Sequence, residues 1–236
     1  MPKNFSANAG ADVKPRTIFI TGTDTGVGKT VLAHLLTRHL HQQGLPVAGL
    51  KPLCSGGRDD ARLLHAAMDG KLTLEEINPW HFRAALSPLQ AARKERRKVF
   101  LDEVVAHIRQ IQKRFPLAIV EGAGGLLSPM GEDFDSRDLI RALKATPVVV
   151  APNRLGVLNQ LLLTLEALPP AIRHNARLLL MSPRRQVVVS NLNQQFLGEK
   201  LGLHRTHAFP WLKLKQREAN REITKSLAGL AQTLSL

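Results

Sequence analysis

The run Thr17-Ile-Phe-Ile-Thr21 leads directly into Gly22-Thr-Asp-Thr-Gly-Val-Gly-Lys-Thr30, and this stretch decides the fold of the chain. Its β-branched and aromatic residues favour a strand, and the apolar positions from Val31 onward favour a helix after the glycine-rich turn. Glycines let such a turn bend tightly enough for its N–H groups to point at an anion. Lys29 can then reach the β- and γ-phosphate oxygens, and the Thr30 hydroxyl can ligate Mg²⁺. Five residues separate Gly22 from Gly28 where the standard pattern has about four before its Gly-Lys pair, which makes this a variant phosphate-binding loop, or P-loop. The predicted nucleotide-binding residues are Asp24, Thr25, Gly26, Val27, Gly28, Lys29, Thr30 and Val31.

Length and composition favour one intracellular domain. The chain has 236 residues, 44% of them hydrophobic, which is enough for one substantial core. No apolar run approaches the roughly 18 residues that a membrane span requires, and the N-terminus lacks the apolar middle of a secretory signal. Cys54 is the only cysteine, so a reducing compartment, the cytoplasm, is expected. We expect a polar, mobile leader over 1–15 and a single P-loop domain over 16–236.

The net charge of +14 raises the possibility of a nucleic-acid partner. The basic residues are, however, spread over 93–98, 173–185 and the C-terminal helix, without interleaved aromatic residues or a nucleic-acid motif. This distribution favours solvated basic faces and attraction of anionic small molecules. We therefore expect neither a nucleic-acid nor a membrane partner.

Strand and helix patterns alternate along the chain. Several strands are continuous apolar runs, as expected for a parallel sheet covered on both faces. The sequence therefore predicts a doubly wound, mostly parallel α/β sheet with its ligand site at the C-terminal strand ends. Predicted strands are 17–21, 46–51, 117–120, 147–151, 178–181 and 206–209, and predicted helices are 29–43, 59–68, 88–94, 101–114, 136–143, 156–168, 191–201 and 217–233.

Three further motifs follow predicted strands. Lys51-Pro-Leu-Cys-Ser-Gly-Gly-Arg-Asp-Asp60 suits a polyanionic or CO₂-derived substrate, although a surface turn ending in an N-cap aspartate, Asp59 or Asp60, would also explain it. Glu121 ends an apolar run and precedes Gly122-Ala-Gly-Gly125, where a second metal ligand is expected, and a capping or solvated carboxylate is the alternative. Ala151-Pro-Asn-Arg-Leu-Gly-Val-Leu-Asn159 opens a helix whose N–H groups could hold a carboxylate, and ordinary helix capping explains it equally well.

Together these motifs resemble the dethiobiotin synthetase family. The shared elements are Gly22-Thr-Asp-Thr-x-Val-Gly-Lys-Thr30, Lys51-Pro-x-x-Ser55, Asp60, Val120-Glu-Gly-Ala-Gly-Gly125 and Leu155-Gly-x-x-Asn159, and the similarity runs from about 16 to 212. The resemblance implies a P-loop NTPase fold and a homodimer. It also implies closure of the ureido ring of dethiobiotin from 7,8-diaminopelargonic acid, CO₂ and ATP with Mg²⁺.

The resemblance also implies a role for each matching residue. Thr30, Asp60 and Glu121 would be metal ligands, while Lys29 and the loop amides would hold the triphosphate. Thr25, Lys51 and Ser55 would contact the substrate carbamate and the transferring phosphate, so the implied catalytic residues are Lys29, Lys51, Thr25 and Ser55. Gly156, Val157 and Asn159 of the partner subunit would receive the substrate's distal carboxylate.

The chain also departs from the family pattern. Asn78-Pro-Trp-His-Phe82 replaces Asn-Pro-Tyr-x-Phe, and Pro88-Leu89 replaces Pro-His. Ser182-Pro-Arg-Arg185 stands where the family has its base-reading asparagine, which predicts a relaxed nucleotide preference. Two alternatives stay open: a relative that activates a different substrate, and a nucleotide switch of the partitioning or metal-insertion kind. Lys51-Pro-Leu-Cys-Ser55 argues against the switch, which has no need of a substrate lysine.

Overall fold

The computed structural model describes residues 14–182, 187–210 and 221–236. Six strands form one parallel sheet in the order β2-β5-β1-β6-β7-β8, and β3 and β4 form a separate two-stranded parallel ladder. The strands are β1 (Arg16–Gly22), β2 (Val47–Leu50), β3 (Leu53–Ser55), β4 (Trp80–Phe82), β5 (Leu117–Glu121), β6 (Thr146–Pro152), β7 (Arg177–Ser182) and β8 (Thr206–Pro210). The predicted parallel sheet is confirmed.

Helices cover both faces of this sheet. The crossover from β1 to β2 runs in the opposite direction along the sheet from those that join β5 to β6, β6 to β7 and β7 to β8, so right-handed connections place their helices on opposite sides. The helices are α1 (Lys29–Gln42), α2 (Asp59–Ala67), α3 (Leu74–Ile77), α4 (Pro88–Lys94), α5 (Leu101–Gln112), α6 (Ser136–Leu143), α7 (Val157–Glu166), α8 (Pro170–Arg173), α9 (Val187–Leu201) and α10 (Arg221–Thr233). Helix α1 packs beside α2 and α10, α5 beside α6, and α7 beside α9. Among the residues described, none of these helices has the length and apolar character needed to cross a membrane.

The central strands form the core and set the position of the functional loops. Phe19 and Val148–Val150 are fully buried, as the continuous apolar runs predict. Strand register places Ile20 opposite Glu121 and Gly22 opposite Val150. Strand β1 extends two residues beyond Ile20, the residue paired with Glu121. The P-loop that follows β1 therefore lies over the C-terminal end of β5.

Several elements differ from the sequence prediction. Strands β3 and β4 and helices α3 and α8 were not predicted, because segments of three or four residues carry too little periodicity to recognise. Helix α9 begins at Val187 rather than at 191, so tertiary packing overrides the β preference of a valine run. Residues 217–220 of the last predicted helix and 1–13 of the predicted leader lie outside the described residues, and the division at residue 15 stays a prediction.

Candidate active site

A cavity of about 740 Å³ opens at the C-terminal ends of β1, β3 and β5. Thr25, Gly26 and Gly28 line it on the P-loop side, and Ala85, Leu86 and Pro88 line it on the other. The fold brings all of the predicted catalytic and metal-binding residues into its wall: Thr25, Lys29, Thr30, Lys51, Ser55, Asp60 and Glu121.

The P-loop depends on two glycines with positive φ. Gly26 has φ 73° and Gly28 has φ 107°. A Cβ on Gly28 would lie 2.5 Å from the Cε atom of Met181, so the loop packs directly against the end of β7. Helix α1 starts at Lys29 with no side-chain cap and no acidic residue in its first turn. Its first N–H groups therefore stay available to an anion, as the sequence predicts.

Lys29 lies under this loop with only 6% of its surface exposed. Its Nζ atom donates a hydrogen bond to the backbone carbonyl of Asp24 at 2.7 Å. Burial, and then the positive charge of Lys51, lower the pKa of Lys29 to about 8. The lysine is thus a buried cation without a carboxylate in hydrogen-bond contact among the described residues, a state that a phosphate oxygen would relieve.

Lys51 connects the carboxylates of the site. Its Nζ lies 2.6 Å from Oε1 of Glu121 and 3.0 Å from Oδ2 of Asp60, and it donates to the carbonyl of Gly122 at 3.1 Å. The Thr30 hydroxyl donates to the same Oε1 of Glu121 at 2.7 Å. Burial alone would lower the pKa of Lys51, but the charges and hydrogen bonds of Glu121 and Asp60 outweigh it and raise that pKa. Lys51 is therefore an ammonium ion at neutral pH.

Glu121 supplies the test of whether a divalent cation suits this cluster. The residue is 1% exposed, and its Oε2 atom is buried with no hydrogen-bond partner among the described residues. A buried carboxylate oxygen without a partner is costly, and Mg²⁺ prefers carboxylate and hydroxyl oxygens. Thr30, Asp60 and Glu121 thus fit a magnesium site.

Two alternative interpretations are wrong. Glu121 is neither solvated nor a cap, since it ends a buried strand. Neither Asp59 nor Asp60 is the N-cap of α2: Arg58 holds that position, and no side chain caps the helix. Asp60 instead sits inside the first turn, from where its carboxylate reaches Lys51.

The β3 strand carries two further side chains of the cavity. The Ser55 hydroxyl donates to the carbonyl of Leu86 at 2.5 Å, so it ties β3 to the opposite wall. Cys54 also lies in this strand, and its thiol donates to the carbonyl of Gly57 at 3.0 Å. Burial raises the pKa of Cys54, which disfavours a nucleophilic thiolate.

The segment that opens α7 stands apart from this cavity. Gly156, with φ 90°, and Asn159 are exposed, while Val157 is fully buried. None of the three lines the cavity of the same chain. The fold of one chain therefore does not bring these predicted substrate-binding residues to the site.

Sequence reasoning missed two buried asparagines near the site. Asn78 is 1% exposed and hydrogen-bonds to the backbone carbonyl of Lys51, and the Asn78-Pro79 motif was the available signal. Asn153 is fully buried and donates to the hydroxyl of Ser182 at 2.8 Å. Asn153 lies within the quoted motif 151–159, but that motif was interpreted through its helix start and not through this side chain.

The fold and this cavity define a P-loop nucleotide-binding protein, and the AAA domain family model matches residues 16–214. The plasmid partition protein of Borrelia burgdorferi B31 shares the fold, with a TM-score of 0.57 at 12% identity over 94% of this chain and 98% of that one. At such low identity the likeness shows the fold alone.

Closer relatives narrow the class. The dethiobiotin synthetase of Bacillus licheniformis is 43% identical over an alignment of 151 residues that covers 62% of this chain and 64% of that protein. The dethiobiotin synthetase of Anaeromyxobacter sp. Fw109-5 is 44% identical over 65% of this chain and 70% of its own length. The chain thus spans just under two thirds of the Bacillus relative and somewhat more of the other. It belongs to the dethiobiotin synthetase family.

Proposed function

We propose that this protein is an ATP- and Mg²⁺-dependent cyclo-ligase that makes dethiobiotin from 7,8-diaminopelargonic acid and CO₂. The observation that carries the proposal is the convergence of two buried lysines, Lys29 and Lys51, on one cavity. A nucleotide switch needs only the first of them. A second ammonium supports a second anion beside the triphosphate, and the relatives are named as ATP-dependent dethiobiotin synthetases.

The chemistry requires a site that stabilises negative charge. One amine of the substrate adds to CO₂ and releases a proton, which gives a carbamate. A carbamate oxygen attacks the γ-phosphorus and displaces ADP, forming a mixed carbamic–phosphoric anhydride. The neighbouring amine then attacks the carbonyl carbon, loses its proton and expels phosphate, which closes the ureido ring. No protein nucleophile takes part, in agreement with the buried, hydrogen-bonded thiol of Cys54.

The side chains of the cavity divide this work. Lys29 and the loop N–H groups hold the triphosphate, and Lys51 holds the carbamate and the phosphoryl group that moves between the substrates. Thr25 and Ser55 contact the same groups from opposite walls. Holding both substrates in line converts the attack into an effectively intramolecular step, and the ring closure is intramolecular in any case.

Thr30, Asp60 and Glu121 would hold the magnesium ion. When bound, the ion neutralises charge on the triphosphate oxygens. Within the protein itself, Lys51 forms ion pairs with both Asp60 and Glu121.

A product assay tests the proposal directly. The chain is incubated with diaminopelargonic acid, bicarbonate, Mg²⁺ and ATP, and dethiobiotin is identified by mass spectrometry. Lys51→Ala should lower product formation by roughly 10³-fold while nucleotide binding persists. Lys71→Ala, which removes an exposed lysine, is the matched control and should match the parent protein.

Three outcomes would contradict the assignment. Turnover of another amine but not of diaminopelargonic acid would favour a relative with a different substrate. ATP hydrolysis without any acceptor would favour a switch. Loss of ATP binding with retained substrate binding in Lys51→Ala would reverse the roles of the two lysines.

A further inference from the structure

The buried amide of Asn78 joins two segments of the cavity wall. Its Nδ2 atom donates to the carbonyl of Lys51 at 2.8 Å and to that of Pro52 at 3.3 Å. Its Oδ1 atom accepts from Nε of Arg58 at 3.2 Å. One side chain thus bonds both to the strand end that carries Lys51 and to the residue that precedes helix α2.

Only an amide satisfies both sides of this bridge. The two carbonyls require donors, and the guanidinium requires an acceptor, so neither a carboxylate nor an apolar side chain could replace it. Pro79, the next residue, has no N–H group to offer either carbonyl. The Trp80 N–H also reaches the carbonyl of Pro52, so the amide of Asn78 completes the pairing at this junction.

Arg58 extends the bridge to Asp60. The guanidinium also donates to the carbonyls of Leu74 and Asn78, at 3.1 and 3.0 Å, and only 21% of the side chain is exposed. Arg58 is the N-cap position of α2, and Asp60 follows two residues later. The Lys51 ammonium and the Asp60 carboxylate meet at 3.0 Å on the cavity side of the same junction.

We propose that Asn78 and Arg58 are positioning residues that fix the Lys51 ammonium against Asp60 and Glu121. Neither touches the reacting groups. They act by holding the backbone at Lys51 and the start of α2 in one relative position. The kinetic part of this assignment rests on the proposed function of the cavity, whereas the position of Lys51 can be measured without it.

Gln112 provides a matched control for a merely structural role. It is a buried amide whose Nε2 donates to the carbonyl of Arg16 and to the hydroxyl of Thr17, while its Oε1 accepts from Arg109. The bonding pattern is similar to that of Asn78, with a hydroxyl in place of one carbonyl. Gln112, however, ends helix α5 and bonds to the N-terminal end of β1, whereas the cavity lies at the C-terminal ends of the strands. Asn78→Leu and Gln112→Leu therefore remove the same kinds of hydrogen bond.

The first measurement is the reactivity of Lys51 toward acetic anhydride, read by mass spectrometry at a temperature where each variant is folded. Lys51 should be protected in the parent protein and in Gln112→Leu. In Asn78→Leu it should react roughly tenfold faster, because its partners are no longer held in place. Arg58→Met removes the half of the bridge that lies nearer the surface, and Lys51 should show the same increase in reactivity in this variant. It therefore carries the test if Asn78→Leu does not fold.

The second measurement is steady-state kinetics on the full chain. Asn78→Leu and Arg58→Met should lower kcat by roughly 10- to 100-fold, as loss of supporting contacts does in other sites, with the affinity for a nonhydrolysable ATP analogue unchanged. Gln112→Leu should keep the parent kcat. The proposal is overturned if Lys51 stays protected in Asn78→Leu and Arg58→Met, or if Gln112→Leu lowers kcat as much. A parent protein that makes no dethiobiotin would defeat the proposed function, and the labelling experiment would still decide the role of Asn78.

Discussion

Lys29 and Lys51 stand in one cavity but in different electrostatic surroundings. Lys51 has two carboxylates within 3.0 Å, and its pKa is raised. Among the residues that the structure describes, Lys29 has only a backbone carbonyl in hydrogen-bond contact, and burial lowers its pKa to about 8. The sequence predicted both lysines as site residues. Only the structure shows that Lys51 forms ion pairs with carboxylates, whereas Lys29 contacts no carboxylate among the described residues and is available to a phosphate.

This difference predicts a pH dependence of nucleotide binding. Below pH 8 Lys29 is charged and attracts the triphosphate, whereas above it binding must first protonate the amine. The dissociation constant for a nonhydrolysable ATP analogue should therefore rise, by roughly tenfold per unit above pH 8. Because the folded pKa lies below the unfolded value of 10.5, Lys29 also makes the free protein more stable as pH rises between them. Titration calorimetry on the parent protein and on Lys29→Ala measures the pH dependence of binding. The variant should bind the nucleotide analogue weakly at every pH, and its dissociation constant should no longer rise above pH 8. The variant should also support no turnover.

The unpartnered oxygen of Glu121 predicts how the metal site responds to mutation. Glu121→Gln should keep the fold but weaken Mn²⁺ binding in the presence of nucleotide by roughly tenfold or more, because an amide is a poorer ligand for a hard cation. Paramagnetic resonance of free Mn²⁺ measures this affinity. Glu199→Gln, an exposed control, should bind as the parent does. Equal affinity in all three proteins would leave Glu121 as a structural partner of Lys51 and Thr30 and not a metal ligand.

Ser182 predicts a broad nucleotide preference. A base pocket selects adenine through hydrogen bonds to the base edge, and a missing partner relaxes that choice. Ser182 offers a single hydroxyl, which already accepts a hydrogen bond from Asn153; Pro183–Arg185 lie outside the described residues. CTP or GTP should support turnover within about tenfold of ATP, which corresponds to about 1.4 kcal/mol. Measuring kcat/KM for the four triphosphates decides this, and a preference for ATP above roughly a hundredfold would mean that other groups read the base.

At the scale of the element, substitutions at the two P-loop glycines with positive φ should distinguish the cost of backbone strain from the cost of a steric clash. Gly26 and Gly28 both have positive φ, but a Cβ at Gly26 meets nothing within 4 Å, whereas one at Gly28 meets Met181. Gly26→Ala should cost about 1–2 kcal/mol of stability from strain and leave a usable loop. Gly28→Ala should also displace the loop and weaken nucleotide binding by more than roughly tenfold. Denaturant unfolding and calorimetry on both variants separate the two effects, and equal nucleotide affinity would contradict the steric argument.

At the scale of the whole molecule, the exposed start of α7 predicts sites shared between two subunits. Gly156 and Asn159 lie outside the chain's own cavity, and Leu155 beside them is 88% exposed. Lys29→Ala and Asn159→Glu should each be inactive, the second because its charge repels the substrate carboxylate. After subunit exchange, an equal mixture should recover about a quarter of the parent activity, since half the dimers carry one intact site. A mixture that stays inactive despite exchange, or a fully active monomer in sedimentation, would place each site within one chain.

The sequence alone determined the strand–loop–helix unit, the alternation of strands and helices, and the place of Glu121 at a strand end. These features are local: β-branched runs, glycine positions and helical periodicity act within a few turns of the chain. The cavity also followed from the sequence to the extent that parallel strands bring their C-terminal ends to one edge.

Only the tertiary structure decided how those pieces meet. The pairing of β3 with β4 joins Leu53 to Trp80, and the ion pair of Lys51 joins it to a carboxylate on another strand. The side chain of Asn78 bonds to the carbonyls of Lys51 and Pro52, which lie more than twenty residues away in the sequence. Such contacts depend on which polar groups the fold leaves without a partner, and local patterns carry no information about that.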